Sequence, residues 1–402
     1  MPVTTPIEKC ACGIEGQGRE EFLLCTHRLA SDRKKAEQIR SYGYSAETHF
    51  VTTEDGYVLK LFRIPTGKRM TPINKPLLLQ HGIFCSSDCW TIPGPDHGLA
   101  FILADRGYDV WIANSRGTSY SATHMTIPSD DPKLWDFGIH EMGVYDLPAM
   151  IDYILEKTNE NQISYVGHSQ GTTIFYIMAS MRPEYQSKVL VSSSLAPVAF
   201  LDNTKGVIRT LSSLSTVLVW LAKSTGFNSV LHNNFVIRAA GEIVCRDDFI
   251  LGNMCKNVMF QLAGADNHLN NDTLAPLVTR HCPAGASIKQ LQHFIQLTQN
   301  GGLFTQYDYG PIENMVRYGS LTPPSYPLEK ITTPILLFYS ENDNISTQPE
   351  VLRLARALKN VRPYLIDYAD FNHLDFMWAI NATTLLFDPA IMEMTSFRSS
   401  YN

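Results

Sequence analysis

From Glu47 onward, apolar and polar positions alternate with a period of two. Thr48–Thr53 and Tyr57–Ile64 flank Glu54-Asp55-Gly56, an acidic turn between two β-rich runs, and this pattern predicts a hairpin. Further along, alternation gives way to short, nearly continuous apolar runs at Leu77–Leu79, Val110–Ala113, Ile163–Val166, Val189–Leu195, Ile335–Tyr339 and Tyr364–Ile366. Segments with helical spacing lie between several of them: Asp146–Glu156, Thr172–Met181 and Pro349–Leu358. A strand that is apolar throughout is covered on both faces. The pattern therefore predicts an α/β fold with a mainly parallel sheet between layers of helices.

The alternation stops near Phe200 and resumes at Ile335. Up to about Pro324 the chain offers helix-like stretches instead, such as Leu211–Lys223 and Ile288–Gln299, joined by Gly- and Asn-rich turns. Neither flank completes a sheet alone, which favours a cap inserted into one α/β domain over a separate helical domain. The expected organisation is a polar N-terminal extension (1–44), a first core segment (45–199), a helical cap or lid (200–325) and a second core segment (326–402). Within the cap, Leu214, Val217, Leu218 and Leu221 follow i, i+3, i+4, i+7 spacing. That single apolar face suits a lid helix.

Composition narrows the class. The chain has 402 residues, 44% hydrophobic and 18% charged, which excludes disorder and coiled coil. Its net charge is -6 with no basic run, so no nucleic-acid partner is expected. The longest apolar-leaning stretch, Leu211–Ala222, is broken by serines and too short for a transmembrane segment. Eight cysteines are too sparse for a disulfide scaffold in a chain this long. Cys10 and Cys12 have no second pair and no His at zinc spacing, so no metal site is expected. The first thirty residues contain no apolar core of a signal peptide. Sequons occur at Asn271, Asn344 and Asn381.

The chemistry concentrates where the run Ile163–Val166 enters Gly167-His168-Ser169-Gln170-Gly171 and a helical segment follows. This is G-x-S-x-G between a strand and a helix, the sharp turn that exposes a nucleophilic serine at the carboxyl end of a sheet. A serine hydroxyl needs a base to take its proton, and on this fold the chain order is Ser, acid, His. Among twelve histidines, His373 follows the last strand candidate, where a base can reach back over the sheet. His168 adjoins the serine, but the turn is expected to direct it elsewhere. His232, His268, His281 and His293 fall in the cap as surface or packing residues. The acid should follow Ile335–Tyr339, where both Glu341 and Asp343 are available. Two backbone N–H groups must meet the developing oxyanion. Gln170 supplies one and Ile83 the other, since Gly82 in Leu79-Gln80-His81-Gly82-Ile83 allows close approach.

With these residues in place, the chain strongly resembles the acid lipases: the gastric, lingual and lysosomal neutral-lipid lipases of animals and their insect relatives. The motifs are Glu54-Asp55-Gly56-Tyr57, Leu79-Gln80-His81-Gly82, Asp109-Val110-Trp111-Ile112-Ala113-Asn114-Ser115-Arg116-Gly117, Trp135-Asp136-Phe137, Glu141-Met142, Tyr145-Asp146-Leu147-Pro148-Ala149, the serine pentapeptide and Phe371-Asn372-His373. They run in order from about Ser45 to Phe387. The resemblance implies an α/β hydrolase with a helical lid, cleaving fatty-acyl esters of neutral lipids at a lipid–water interface, as a monomer and without a cofactor. In that family an Asn precedes the acid, which selects Asp343 after Asn342.

The resemblance further implies a lid disulfide between Cys245 and Cys255. It also implies passage through the secretory route, the true amino terminus being lost or mis-assigned in this chain, with Asn271 the favoured glycan site. Two features depart from the family: the polar, cysteine-bearing start, and Cys85 and Cys89 in the oxyanion loop, where a local bridge and two free thiols stand equally open. The competing functions are a carboxylesterase or thioesterase on soluble acyl substrates and a non-catalytic lipid-binding protein of this fold.

Overall fold

The computed structural model describes residues 35–68, 75–205, 209, 229–230 and 274–399. The helix expected at Leu211–Lys223, Cys245 and Cys255, Asn271, and the first 34 residues lie outside them.

Eight strands form one sheet: β1 (Glu47–Thr52), β2 (Val58–Ile64), β3 (Pro76–Gln80), β4 (Asp109–Ala113), β5 (Ile163–His168), β6 (Val189–Leu195), β9 (Ile335–Tyr339) and β10 (Val361–Leu365), in spatial order β1-β2-β4-β3-β5-β6-β9-β10. The hairpin β1–β2 and the β2–β4 pair are antiparallel, and every later neighbour pairs parallel. Two two-residue strands, β7 (Ser229–Val230) and β8 (Ala286–Ser287), pair with each other apart from this sheet, inside the stretch expected to be helical.

The strands show why their sequences are apolar throughout. Leu78, Trp111 and Leu337 enter one buried cluster with the helices Leu147–Thr158 and Gln170–Met181. Their neighbours Leu77, Leu79, Val110, Ile112, Leu336 and Phe338 enter the other, with the helices Leu99–Asp105 and Asp388–Ser399. Successive side chains point to opposite faces, so a sheet covered on both sides favours apolar residues at nearly every position, with Gln80 of β3 and Ser192, Ser193 and Ser194 of β6 as buried polar exceptions.

β10 is the exception. It begins at Val361, three residues before the expected start at Tyr364, and its Arg362 and Pro363 are exposed. An edge strand is not buried on both sides and tolerates charge and proline, so its composition hides it.

Among the polar groups buried in the core is an arginine. Arg116, following β4, is 1% exposed and donates from Nε to Asp146 at 2.7 Å, and from Nη1 and Nη2 to Asp55 at 2.6 and 2.9 Å. Its guanidinium lies 4.0 Å from the Tyr57 ring centroid. Burial pushes the Asp146 carboxyl up while Arg116 pulls it down. Removing the cation by Arg116→Met would strand a buried carboxylate, so we expect a loss of about 3–5 kcal/mol in urea unfolding. The double variant with Asp146→Leu should recover much of it. An unchanged midpoint for the single variant would show that Asp146 has another partner.

Candidate active site

β5 runs straight into Ser169, which has φ 51° and ψ −118° and opens the helix Gln170–Met181. The two glycines make this turn possible. A Cβ on Gly167 would lie 2.8 Å from the Gly171 carbonyl carbon, and one on Gly171 would lie 2.4 Å from the Gln80 carbonyl oxygen. The strained serine is held by its own backbone, its N–H donating to Leu195 O at 3.0 Å while Thr172 N–H donates to its carbonyl at 2.8 Å.

Ser169 Oγ lies 2.9 Å from His373 Nε2, and His373 Nδ1 lies 2.7 Å from Asp343 Oδ2. All three residues are buried. The other Asp343 oxygen accepts from Ile345 N–H and Ser346 N–H, both at 2.8 Å. Glu341, the alternative acid, is exposed. Asp375 is buried but accepts from Asn372 N–H at 2.7 Å. Asn342 donates to Asp370 O at 2.7 Å, fastening the acid loop to the histidine loop.

His168 is directed away from the Ser169 hydroxyl: its ring packs 5.0 Å from the His373 ring, and its Nε2–H donates to the His373 carbonyl at 3.1 Å. Burial, then the neighbouring His373, push the His168 imidazole down to about 4, so it stays neutral. It holds the backbone that carries His373. The only signal in the sequence was its adjacency to the serine.

The loop after β3 comes against Ser169. A Cβ on Gly82 would lie 3.1 Å from Ser169 Cβ. A side chain there would crowd Ser169 and the His168 ring, which favours glycine. Residues outside the expected site set support the loop. His81 Nε2 accepts from Ser115 N–H at 3.1 Å and Gln80 donates to Ser115 Oγ at 2.9 Å. Asn114 accepts from Ser87 N–H at 2.8 Å and donates to Lys60 O at 3.0 Å. Gln290 donates to Gln170 Oε1.

Asp88 pairs with Lys35 at 2.7 Å and His281 at 2.8 Å. Burial would push its carboxyl up, but Lys35 and His281 hold it well below the usual range. His281 is therefore more than a surface residue, tying the helix Ala275–His281 to this loop. Cys85 and Cys89 carry thiols, so no local bridge is present.

The chain matches known proteins over most of its length. A family model for a partial alpha/beta-hydrolase lipase region matches residues 35–94, and one for the alpha/beta hydrolase fold matches residues 75–214. Lipase 1 of Drosophila melanogaster is 39% identical over 87% of this chain and 76% of its own length. Gastric triacylglycerol lipase of Mus musculus is 36% identical over 89% of this chain and 91% of its own. The chain belongs to the acid lipase family. It is a carboxylic ester hydrolase. An esterase from Exiguobacterium antarcticum shares the fold, with a TM-score of 0.51 at 12% identity over 86% of this chain and 98% of that one.

The lipase also buries His293 completely, with Nε2–H donating to Thr305 O at 2.9 Å. Burial pushes this imidazole down to about 4. Unfolded chains take up the proton near pH 6.5, whereas the folded lipase resists until about pH 4. Stability is therefore full above about pH 6.5 and falls as pH drops through that window. Urea unfolding at pH 7.5 and 4.5 should show His293→Gln losing about 2–3 kcal/mol less in acid than the parent lipase. Parallel losses would show that His293 does not resist protonation.

Proposed function

We propose that this lipase hydrolyses fatty-acyl esters of neutral lipids, triacylglycerols or sterol esters, through an acyl-enzyme on Ser169. His373 takes the serine proton as Oγ attacks the ester carbonyl, and Asp343 accepts from the far ring N–H and stabilises the imidazolium. The oxyanion is met by the N–H groups of Ile83 and Gln170; the latter opens a helix, where the first amides have no intrahelical acceptor. His373 then protonates the departing alcohol, and water repeats the sequence to release the fatty acid. No metal or organic cofactor is required. The observation that carries this proposal is the unbroken contact chain from Ser169 through His373 to Asp343.

The neutral-lipid choice draws on the relative named as a triacylglycerol lipase. Among the described residues no helix is long and apolar enough to cross a membrane. The lipase acts as a monomer at a lipid–water interface, with residues 200–325 as a cap whose segment Leu211–Lys223 is the lid. The chain passes through the secretory route, with Cys245 bonded to Cys255 and Asn271 the favoured glycan site.

Turnover of emulsified long-chain triacylglycerol, sterol ester and dissolved short esters across pH 4–8 tests this. Activity confined to dissolved esters would favour a soluble carboxylesterase. Failure of Ser169 to react with a fluorophosphonate would favour a non-catalytic lipid binder. Deleting Leu211–Lys223 should change the preference between long and short acyl chains, and an unchanged preference would remove the lid role.

A further inference from the structure

Three thiols meet at the back of the oxyanion loop. Cys85 Sγ lies 3.2 Å from Cys282 Sγ, although 197 positions separate them in the chain. Cys89 also contacts Cys85. The two backbones are already fastened there. Ala284 N–H donates to the Phe84 carbonyl at 2.7 Å, and Ser119 N–H donates to the Ala284 carbonyl at 2.8 Å. Phe84 itself sits at φ 60°, a left-handed conformation that a bulky residue holds only under constraint from its surroundings. The segment 282–284 is thus hydrogen-bonded to Phe84, the residue that follows Ile83.

We propose that Cys85 and Cys282 form a disulfide that locks the oxyanion loop to the segment following the helix Ala275–His281. The two sulfurs need to close by only about 1 Å to reach bonding distance, which side-chain rotation can supply. The choice of partner follows from position. Cys85 and Cys282 are half-buried, whereas Cys89 is 1% exposed and out of reach of an oxidant. Hydrogen bonds from Cys282 and then Cys89 hold the Cys85 thiol well below its ordinary range, so Cys85 is the attacking sulfur, while burial pushes Cys89 up.

The chemistry is thiol–disulfide exchange with a disulfide oxidant such as oxidised glutathione. Cys85 thiolate attacks one oxidant sulfur, forming a mixed disulfide and releasing one thiolate. Cys282 gives its proton to water and attacks Cys85 Sγ, releasing the second thiolate. Two protein thiols are thereby oxidised by two electrons and the oxidant is reduced to two thiols.

The bond stands on the thiol geometry alone; its effect on turnover rests on the Ile83 reading above. Full-length protein secreted from a eukaryotic host would be alkylated with iodoacetamide, digested without reductant and mapped by mass spectrometry. The expected product joins the Cys85 and Cys282 peptides and leaves Cys89 unlinked. Alkyl label on both Cys85 and Cys282, or a Cys85–Cys89 link, would overturn the bond. Cys282→Ser should lower kcat on a dissolved p-nitrophenyl ester about tenfold with little change in KM, short of the roughly 10²–10³ for losing an oxyanion donor. Dithiothreitol should then cost the parent more than the variant, which separates this bond from any bridge in the cap. Equal turnover in parent and variant would overturn the locking role. Absence of turnover in the parent would count against the hydrolase mechanism while leaving the peptide map to judge the bond.

Discussion

Ser169→Ala is expected to lower ester turnover by about 10⁶, the scale of a lost nucleophile in a serine hydrolase. The change removes one oxygen, whose contact is His373 Nε2 at 2.9 Å. The backbone bonds that hold the turn, Ser169 N–H to Leu195 O and Thr172 N–H to Ser169 O, do not involve the side chain and persist. Urea unfolding should therefore match the parent or improve on it, because strained catalytic positions are seldom at their stability optimum. Residual turnover within tenfold of the parent, with the fold intact, would require another nucleophile.

Asp343→Asn should cost about 10⁴ in kcat, and the geometry gives the reason. Ile345 N–H and Ser346 N–H both point at one carboxylate oxygen, so the amide oxygen of Asn must face them. The NH₂ group then points at His373 Nδ1, which can meet it only without a proton. The ring proton moves to Nε2, where it faces the serine and cannot accept. Glu341→Gln, at an exposed position, should change kcat by less than about twofold. If Glu341→Gln were the more damaging change, the acid would be misassigned.

Much of the fold is legible because burial on both faces writes itself locally. Val110–Ala113 and Ile335–Tyr339 coincide with buried strands, and Ile288–Gln299 is a helix over the same residues, its capping box at Ser287 and Gln290 included. The legibility fails where burial is one-sided, as at β10. It also fails where a polar residue is bonded inside the protein: Asn114, Ser115 and Gln290 carry no periodic signal, since their partners belong to other elements.

The elbow was decided by sequence. Gly167 and Gly171 beside Ser169, between an apolar run and a helical one, leave the turn one steric solution, and that is a property of seven or eight consecutive residues. The meeting of Ser169 with His373 was not, because 204 positions separate them and the contact exists only where the β5-β6-β9-β10 strand order brings their loops to one end of the sheet. For Asp343 over Glu341 the residues by themselves left two carboxylates open, and the family's Asn before the acid selected Asp343; the structure supplies the physical reason. The fold buries one against two amide N–H groups and leaves the other in water, and only the buried one meets the histidine. Tertiary structure also turned His168 onto the His373 backbone and set Cys282 against Cys85. Local sterics and periodicity are written in neighbouring residues, whereas long-range contacts depend on which strands pair and in what register.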